Sequence, residues 1–441
     1  MNESDRWARG LSRRRFLQAS AAAAAPLAIG REVRAFPARG SPRFGRGDEI
    51  RVGLVGCGGR GTGAASQALA ADPGAVLVAL ADAFEDRVAG CLESLELGLE
   101  PEAKARVRVE PERRFVGFDA YRELVDCGVD VVLLATPPAF RPEHLAYAVA
   151  QGKHVFCEKP VAVDAPGVRS VIASAEAARA KALSLVVGLC WRYNVRHREL
   201  YARVADGAIG DLRAFYSTYL TGPLGKHPRQ PGWSDMEWQL RNWLHMLWLS
   251  GDHIVEQAVH SLDKMAWAFG DRPPILVMAV GGRQAREGAE SGNVYDHFGC
   301  TFEYPGGAKG FHLCRQIENC PSDNNDHLLG TKGTATIKGW EPLHLIEGEQ
   351  AWRYEGPGND MYQQEQDELF AAIRAGKPIN DGVQGAHSTL LAIMAREAAY
   401  TGATITWEQA LASQEKLGPE TYAWGTVDLR AVPIPGRTRS N

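Results

Sequence analysis

The chain has 441 residues, 45% hydrophobic and 23% charged, enough to fill a sizeable core divided between two domains. Its net charge of -4 offers no broad basic field for phosphate backbones, so nucleic acid is not an expected partner and any charged chemistry must be local. The eight cysteines (57, 91, 127, 157, 190, 300, 314 and 320) contain no C-x-x-C pair, which argues against redox dithiols and metal clusters. Buried thiols are the expectation; Cys314 and Cys320 are the nearest pair in the second half should an exported chain form a disulfide.

The chain opens with Ser12-Arg13-Arg14-Arg15-Phe16-Leu17-Gln18 and an Ala-rich apolar stretch over 19–29, too short to span a bilayer as a stable helix. The paired Arg13 and Arg14 followed by Phe16 and Leu17 resemble a twin-arginine signal peptide, assigned to residues 1–35. That resemblance implies export to the periplasm or beyond, with the twin-arginine export machinery as a partner. Residues 36–49, rich in Gly, Pro and Arg, read as a flexible leader. No later apolar run reaches membrane-spanning length, so no integral membrane segment is expected in the mature form.

Residues 50–210 read as an α/β Rossmann nucleotide-binding domain. A β-branched strand over 50–55 feeds Gly56-Cys57-Gly58-Gly59-Arg60-Gly61 and then a small-residue helix over 62–70. Gly56 permits the tight turn, Gly58 lets the backbone reach a pyrophosphate, and Gly61 lets the helix pack against the strand, with the helix amino end facing the phosphate. A second strand over 76–81 ends in Asp82, 21 residues after Gly61, where a carboxylate can bond both adenosine ribose hydroxyls. The same charge repels a 2′-phosphate and Ala83 supplies no cation, so NAD is the expected cofactor rather than NADP. A buried strand over 129–135 ends in Thr136-Pro137-Pro138, and a helix over 142–151 stops at Gly152. The strand over 154–157 presents Glu158-Lys159-Pro160 at its carboxyl end, Asp164 caps the next helix, and a further strand covers 183–189.

In this order the chain resembles the Gfo/Idh/MocA oxidoreductases over roughly residues 50–410. The glycine turn, the Thr136-Pro137-Pro138 segment, the run Gly152-Lys153-His154-Val155-Phe156-Cys157-Glu158-Lys159-Pro160 and a later helix carry the resemblance. It implies that Lys159 lies at the nicotinamide and contacts the substrate hydroxyl, with Glu158 on the nicotinamide ribose. Chemistry agrees for Lys159, because an ammonium at the mouth of a parallel sheet orients a hydroxyl and steadies an alkoxide. The expected cofactor contacts are therefore Gly56, Gly58, Gly59, Arg60, Gly61, Asp82, Thr136, Pro137, Glu158 and Lys159.

Residues 211–430 read as an α+β substrate and oligomerisation domain with an open-faced, mainly antiparallel sheet, and 431–441 as a tail. Strands are expected over 213–220, 275–280, 295–304, 308–314 and 334–338, and helices over 361–375 and 385–401. The stretch 251–270 reads as one amphipathic helix: at 100 degrees per residue Val255, Val259, Leu262, Ala266 and Phe269 share one arc. Glu256, His260 and Asp263, with His253 close by, share another and read as the lining of a polar pocket. The resemblance implies an Asp-x-x-x-His pair here; its histidine maps onto His260, and this chain carries Glu256 at the acid position. An imidazole accepts a hydroxyl proton near neutral pH, and Glu256 steadies the imidazolium. A metal reading of His253, Glu256 and His260 fits the spacing, but hydride transfer needs no metal.

Residues 221–233 are Gly/Pro-rich and lead into a segment with Trp238, Trp243 and Trp248, which reads as a lid offering aromatic faces to a sugar. Arg192, Tyr193 and Asn194 follow a nucleotide-domain strand and are expected to face the cleft with His253, Asp263, Trp243 and Tyr295 as substrate-binding residues. The expectation is thus an exported NAD-dependent oxidoreductase acting on a secondary hydroxyl of a sugar, sugar derivative or cyclitol, with its cofactor tightly bound and self-association through the open sheet face. A redox-neutral glycosidase is the alternative within the same chemistry, needing a second base for which Tyr193, His253 and Tyr295 are candidates. A nucleotide-bound sugar sensor is the non-catalytic alternative.

Overall fold

In the computed structural model, residues 44–438 except 46 are described; the segment expected as a twin-arginine signal, and all but a few residues of the leader, lie outside them. Apolar runs of β-branched and leucine residues build six short parallel strands: β1 (Ile50–Val55), β2 (Ala75–Asp82), β3 (Arg114–Val116), β4 (Val131–Leu134), β5 (His154–Cys157) and β6 (Leu185–Val187). Helices cover both faces, and β4, β5 and β6 are buried throughout, as a doubly covered parallel sheet requires. The order β3-β2-β1-β4-β5-β6 places the reversal of winding between β1 and β4, where a crevice opens at the carboxyl ends of the strands.

The glycine turn sits at that reversal and leads straight into the helix Gly59–Ala71. Gly56 has φ +98°, a conformation that favours glycine, and a side chain at Gly61 would run into the Gly56 carbonyl. Asp164 caps the helix Ala165–Ala180 by accepting from Gly167 N–H at 2.9 Å, as the sequence leads one to expect.

The second sheet adds β7 (Leu212–Thr221), β8 (Leu276–Gly282), β9 (His297–Glu303), β10 (Lys309–Gln316), β11 (Asn325–Gly330), β12 (Gly333–Lys338), β13 (Leu343–Gly348), β14 (Trp352–Arg353) and β15 (Ile405–Thr406). Its order is β14-β13-β12-β11-β7-β10-β9-β8-β15, antiparallel except where β7 runs parallel to β10. The helices Val259–Ala268 and Gly382–Thr401 pack on one face. The opposite face of β8 and β10 exposes Met278, Val280, Phe311 and Leu313 at alternating positions, so the sheet is open-faced.

Two expectations are revised. The stretch 251–270 is two helices, His253–Glu256 and Val259–Ala268, because the Glu256 carbonyl accepts from the Lys159 ammonium while His260 N–H bonds to Gln257 instead. The helix Met361–Ala375, expected to complete the second domain, packs on Gly59–Ala71 and adds Leu369, Phe370 and Ile373 to the apolar core of the nucleotide-binding half. Its Arg374 forks onto Asp72 at 2.7 and 2.9 Å.

The interior behind the second sheet holds a wholly buried ion pair, Lys264 to Asp326 at 2.5 Å. Removing one partner strands the other charge in a low-dielectric core. Lys264→Met is expected to lower the unfolding free energy by about 3–5 kcal/mol in urea titration, and adding Asp326→Leu to restore much of it. A double variant as unstable as the single one would show that the stranded carboxylate is not the cause.

Candidate active site

The crevice between β1 and β4 is a cleft of about 300 Å³. Gly56, Gly58, Gly59, Arg60 and Gly61 form one wall and Asp82, Thr136 and Pro137 stand at strand ends beside it, so eight of the ten expected cofactor contacts line one cavity. No atom lies within 4 Å of where a Cβ would stand on Gly58 or Gly59, which leaves the backbone open to a pyrophosphate. The Asp82 carboxylate accepts from Cys57 N–H at 2.7 Å and Phe84 N–H at 3.1 Å, fixing the turn to the end of β2. Burial raises its affinity for a proton, which those two donors oppose.

Arg60 and Glu158 pair at 2.9 Å beneath this cleft, and the Arg60 guanidinium lies 5.0 Å from the Tyr362 ring centroid. Glu158 is buried, and its carboxylate fills the space left by the missing side chain of Gly188. Lys159 Nζ donates to the Glu256 carbonyl at 2.5 Å and to its Oε1 at 3.0 Å. One turn along lies His260, buried, with no protein partner for Nδ1 among the described residues. Burial first, then the ammoniums of Lys159 and Lys264, hold this imidazole well below its ordinary proton affinity, which favours its neutral form. Tyr219 of β7 closes the group; burial and the Glu256 charge keep its phenol protonated.

The remaining expected site residues have other engagements. Arg192 forks onto Asp263 at 2.9 and 3.0 Å and pairs with Asp271, while Asp263 also accepts from Gln384 and Ser388. Tyr193 donates to Asp381 at 2.6 Å, and Asn194 caps the helix Val195–Ala205. The Tyr295 hydroxyl donates to the Pro433 carbonyl at 2.9 Å. His253 is buried beside Phe298 with neither ring nitrogen partnered among the described residues, and burial holds it neutral. Trp243 lines the nucleotide cleft.

Sequence reasoning missed Arg241, Phe84 and Phe118, which also wall the cleft, and Lys264 beside His260. Only Lys264, four residues after His260, carried a signal, through helical spacing. All eight cysteines are thiols, Cys314 and Cys320 included. Among the described residues no group of three His, Cys, Asp or Glu side chains is placed to hold a metal, and no helix is long and apolar enough to cross a membrane.

A glycine-turn cleft at the winding reversal, with a lysine, a carboxylate and a neutral imidazole gathered at the end of the same sheet, defines a nucleotide-dependent oxidoreductase class. Residues 50–188 match the oxidoreductase family with an NAD-binding Rossmann fold, and residues 197–336 match the GFO/IDH/MocA C-terminal domain, together well over half of the chain. The chain belongs to the Gfo/Idh/MocA oxidoreductase family. It is 30% identical to trans-1,2-dihydrobenzene-1,2-diol dehydrogenase of Mus musculus over 52% of this chain and 62% of that protein. It is 29% identical to 2,7-anhydro-N-acetylneuraminate hydratase of Escherichia coli K12 over 49% of this chain and 52% of that protein. The chain thus spans just over half to about three fifths of the length of these relatives. The aldose-aldose oxidoreductase of Caulobacter crescentus shares the fold, with a TM-score of 0.64 at 20% identity over 81% of this chain and 99% of that one.

A base held neutral by its neighbours has a definite pH signature. Because His260 is needed unprotonated and its proton affinity is depressed, the acid limb of kcat/KM is expected below pH 6.5, its ordinary value. A limb at or above that value in a pH profile would show that His260 is not held neutral.

Proposed function

We propose that the protein is an exported NAD-dependent oxidoreductase acting on a secondary hydroxyl of a sugar, sugar derivative or cyclitol. The observation that carries this reading is the contact of Lys159 with Glu256, with the neutral His260 beside it, at the end of the sheet that bears the glycine turn. Lys159 donates to the substrate hydroxyl oxygen and steadies the developing alkoxide. His260 takes the hydroxyl proton, and the Glu256 charge favours the imidazolium that results. NAD, held by the glycine turn, Asp82 and the 136–137 strand end, supplies the acceptor for the hydride leaving the carbinol carbon. The mouse relative, named for dehydrogenating a ring-borne 1,2-diol, supports a ring hydroxyl as substrate.

A redox-neutral glycosidase is the second reading. It oxidises a ring carbon, eliminates the aglycone, adds water and reduces again. The Escherichia coli relative is named a hydratase, which supports water addition within this family. Of the candidates for its second base, Tyr193 and Tyr295 have hydrogen-bonded hydroxyls, whereas the His253 ring has no protein partner among the described residues.

An absorbance scan for bound nicotinamide, followed by a panel of sugars and aryl glycosides without added NAD, separates the readings. Reduction of the bound nicotinamide by a sugar marks the dehydrogenase, aglycone release without net NADH the glycosidase, and bound nucleotide without turnover a sugar sensor. Lys159→Met is expected to lower turnover roughly 10²–10⁴-fold with the fold intact by circular dichroism; undiminished turnover would refute the role given to Lys159. Export is read from Arg13 and Arg14, so replacing both with lysine should retain the protein in the cytoplasm on cell fractionation. Unchanged export of that variant would remove the twin-arginine reading.

A further inference from the structure

The nucleotide cleft is walled by more than its own domain. Arg241, from the segment between β7 and the first helix of the 251–270 stretch, reaches across to fork onto Asp86 at 2.9 and 3.0 Å. Its guanidinium lies 4.0 Å from the ring centroid of Phe84 and 5.1 Å from that of Trp233, and Arg241 and Phe84 both line the cleft.

This arm is held by a second segment, residues 417–430. Met236 N–H donates to the Gly425 carbonyl at 3.0 Å, and Gln239 Nε2 to the Val427 carbonyl at 2.8 Å. Trp424 packs on Phe84 and Phe118, with ring centroids 5.4 and 4.7 Å apart, and Tyr422 packs on Phe118 and Phe140 at 6.2 and 4.7 Å. Phe84, Phe118 and Phe140 are all walls of the cleft. The segment is tied at both ends, by Leu417 N–H to Asp164 at 3.1 Å and by Asn293 Nδ2 to the Arg430 carbonyl at 3.0 Å.

We propose that residues 417–430 form a strap that locks the arm bearing Arg241 over the adenosine half of NAD, so that the cofactor is a resident group that does not exchange during turnover. The inference rests on the oxidoreductase reading. Release requires the Arg241 fork, the two backbone contacts of the strap and the Trp424 packing to give way together, so opening is rare. A resident cofactor imposes a class of reaction. The hydride and proton removed when one carbinol becomes a carbonyl are returned to a carbonyl in the same cleft, restoring a carbinol, so oxidation and reduction alternate without net change in NAD.

The test uses the full chain and reads nucleotide rather than activity. The wild type is expected to retain NAD through desalting, assayed by acid extraction. Trp424→Ala, at a side chain 49% exposed and therefore not a core position, is expected to release NAD roughly tenfold faster or more in the presence of an NAD-consuming scavenger. Tyr422→Ala in the full chain, which removes the packing on Phe118 and Phe140, should behave likewise. Release from the variants at the wild-type rate overturns the strap, as does a wild type that binds added NAD but loses it on desalting. A wild type that binds no NAD at any concentration overturns the oxidoreductase reading as well, which distinguishes the two failures.

Discussion

The ammonium of Lys159 touches both the carbonyl and the carboxylate of Glu256, joining the end of the parallel sheet to the helices packed beside the second sheet. A helix that continued through residue 256 would use this carbonyl for His260 N–H; captured by Lys159, it ends one helix and lets another begin at Val259. The break therefore both brings a cation against Glu256 and sets the approach of His260 to it. In a water-poor interior the same proximity makes protonation of His260 unfavourable, so the contact that shapes the backbone also prepares the base.

The rest of the second half supports that contact with buried charge. Lys264 and Asp326 neutralise each other without solvent, and the buried Asp263 beside Lys264 in the chain pairs with Arg192. Asp252, with φ +80°, caps the short helix that ends at Glu256 and accepts from His253 N–H, Tyr295 N–H and the Tyr400 hydroxyl. Burial pushes its carboxyl up to about 6 despite those donors. Arg286 joins Gln316 and His245, and Gln316 in turn donates to Gln257 at the helix break. A polar interior of this kind fixes directions as well as distances, because each hydrogen bond is lost on small rotations. It gives the site a rigid floor, while Arg241 and its neighbours wall the nucleotide cleft.

Much of the fold was legible because its signals are local. The glycine turn, Asp82 at the end of β2, the Asp164 cap and the helix Met361–Ala375 each depend on neighbours a few residues away, and each lies where periodicity and turn chemistry put it. The helical period over 251–270 was misleading for the opposite reason. Its side-chain spacing is helical, but the backbone is diverted by a lysine nearly one hundred residues earlier in the chain. Arg192, Tyr193 and Asn194 follow a strand end, as cleft residues do, yet their partners Asp263, Asp381 and Asn359 come from segments that position in the chain cannot weigh.

The order of residues, with the family resemblance it carries, determined the parallel sheet, the glycine turn and NAD as the cofactor of that domain, and it singled out Lys159, His260 and Glu256, which the structure brings together. Tertiary structure decided that Met361–Ala375 serves the nucleotide half, that Arg241 walls the cleft, and that residues 417–430 pack on its aromatic walls. The division has a physical basis. Turns, caps and strands are set by short-range sterics and hydrogen bonding, whereas a cleft assembled from segments far apart in the chain is chosen by which buried surfaces and charges satisfy one another only after the chain has closed on itself.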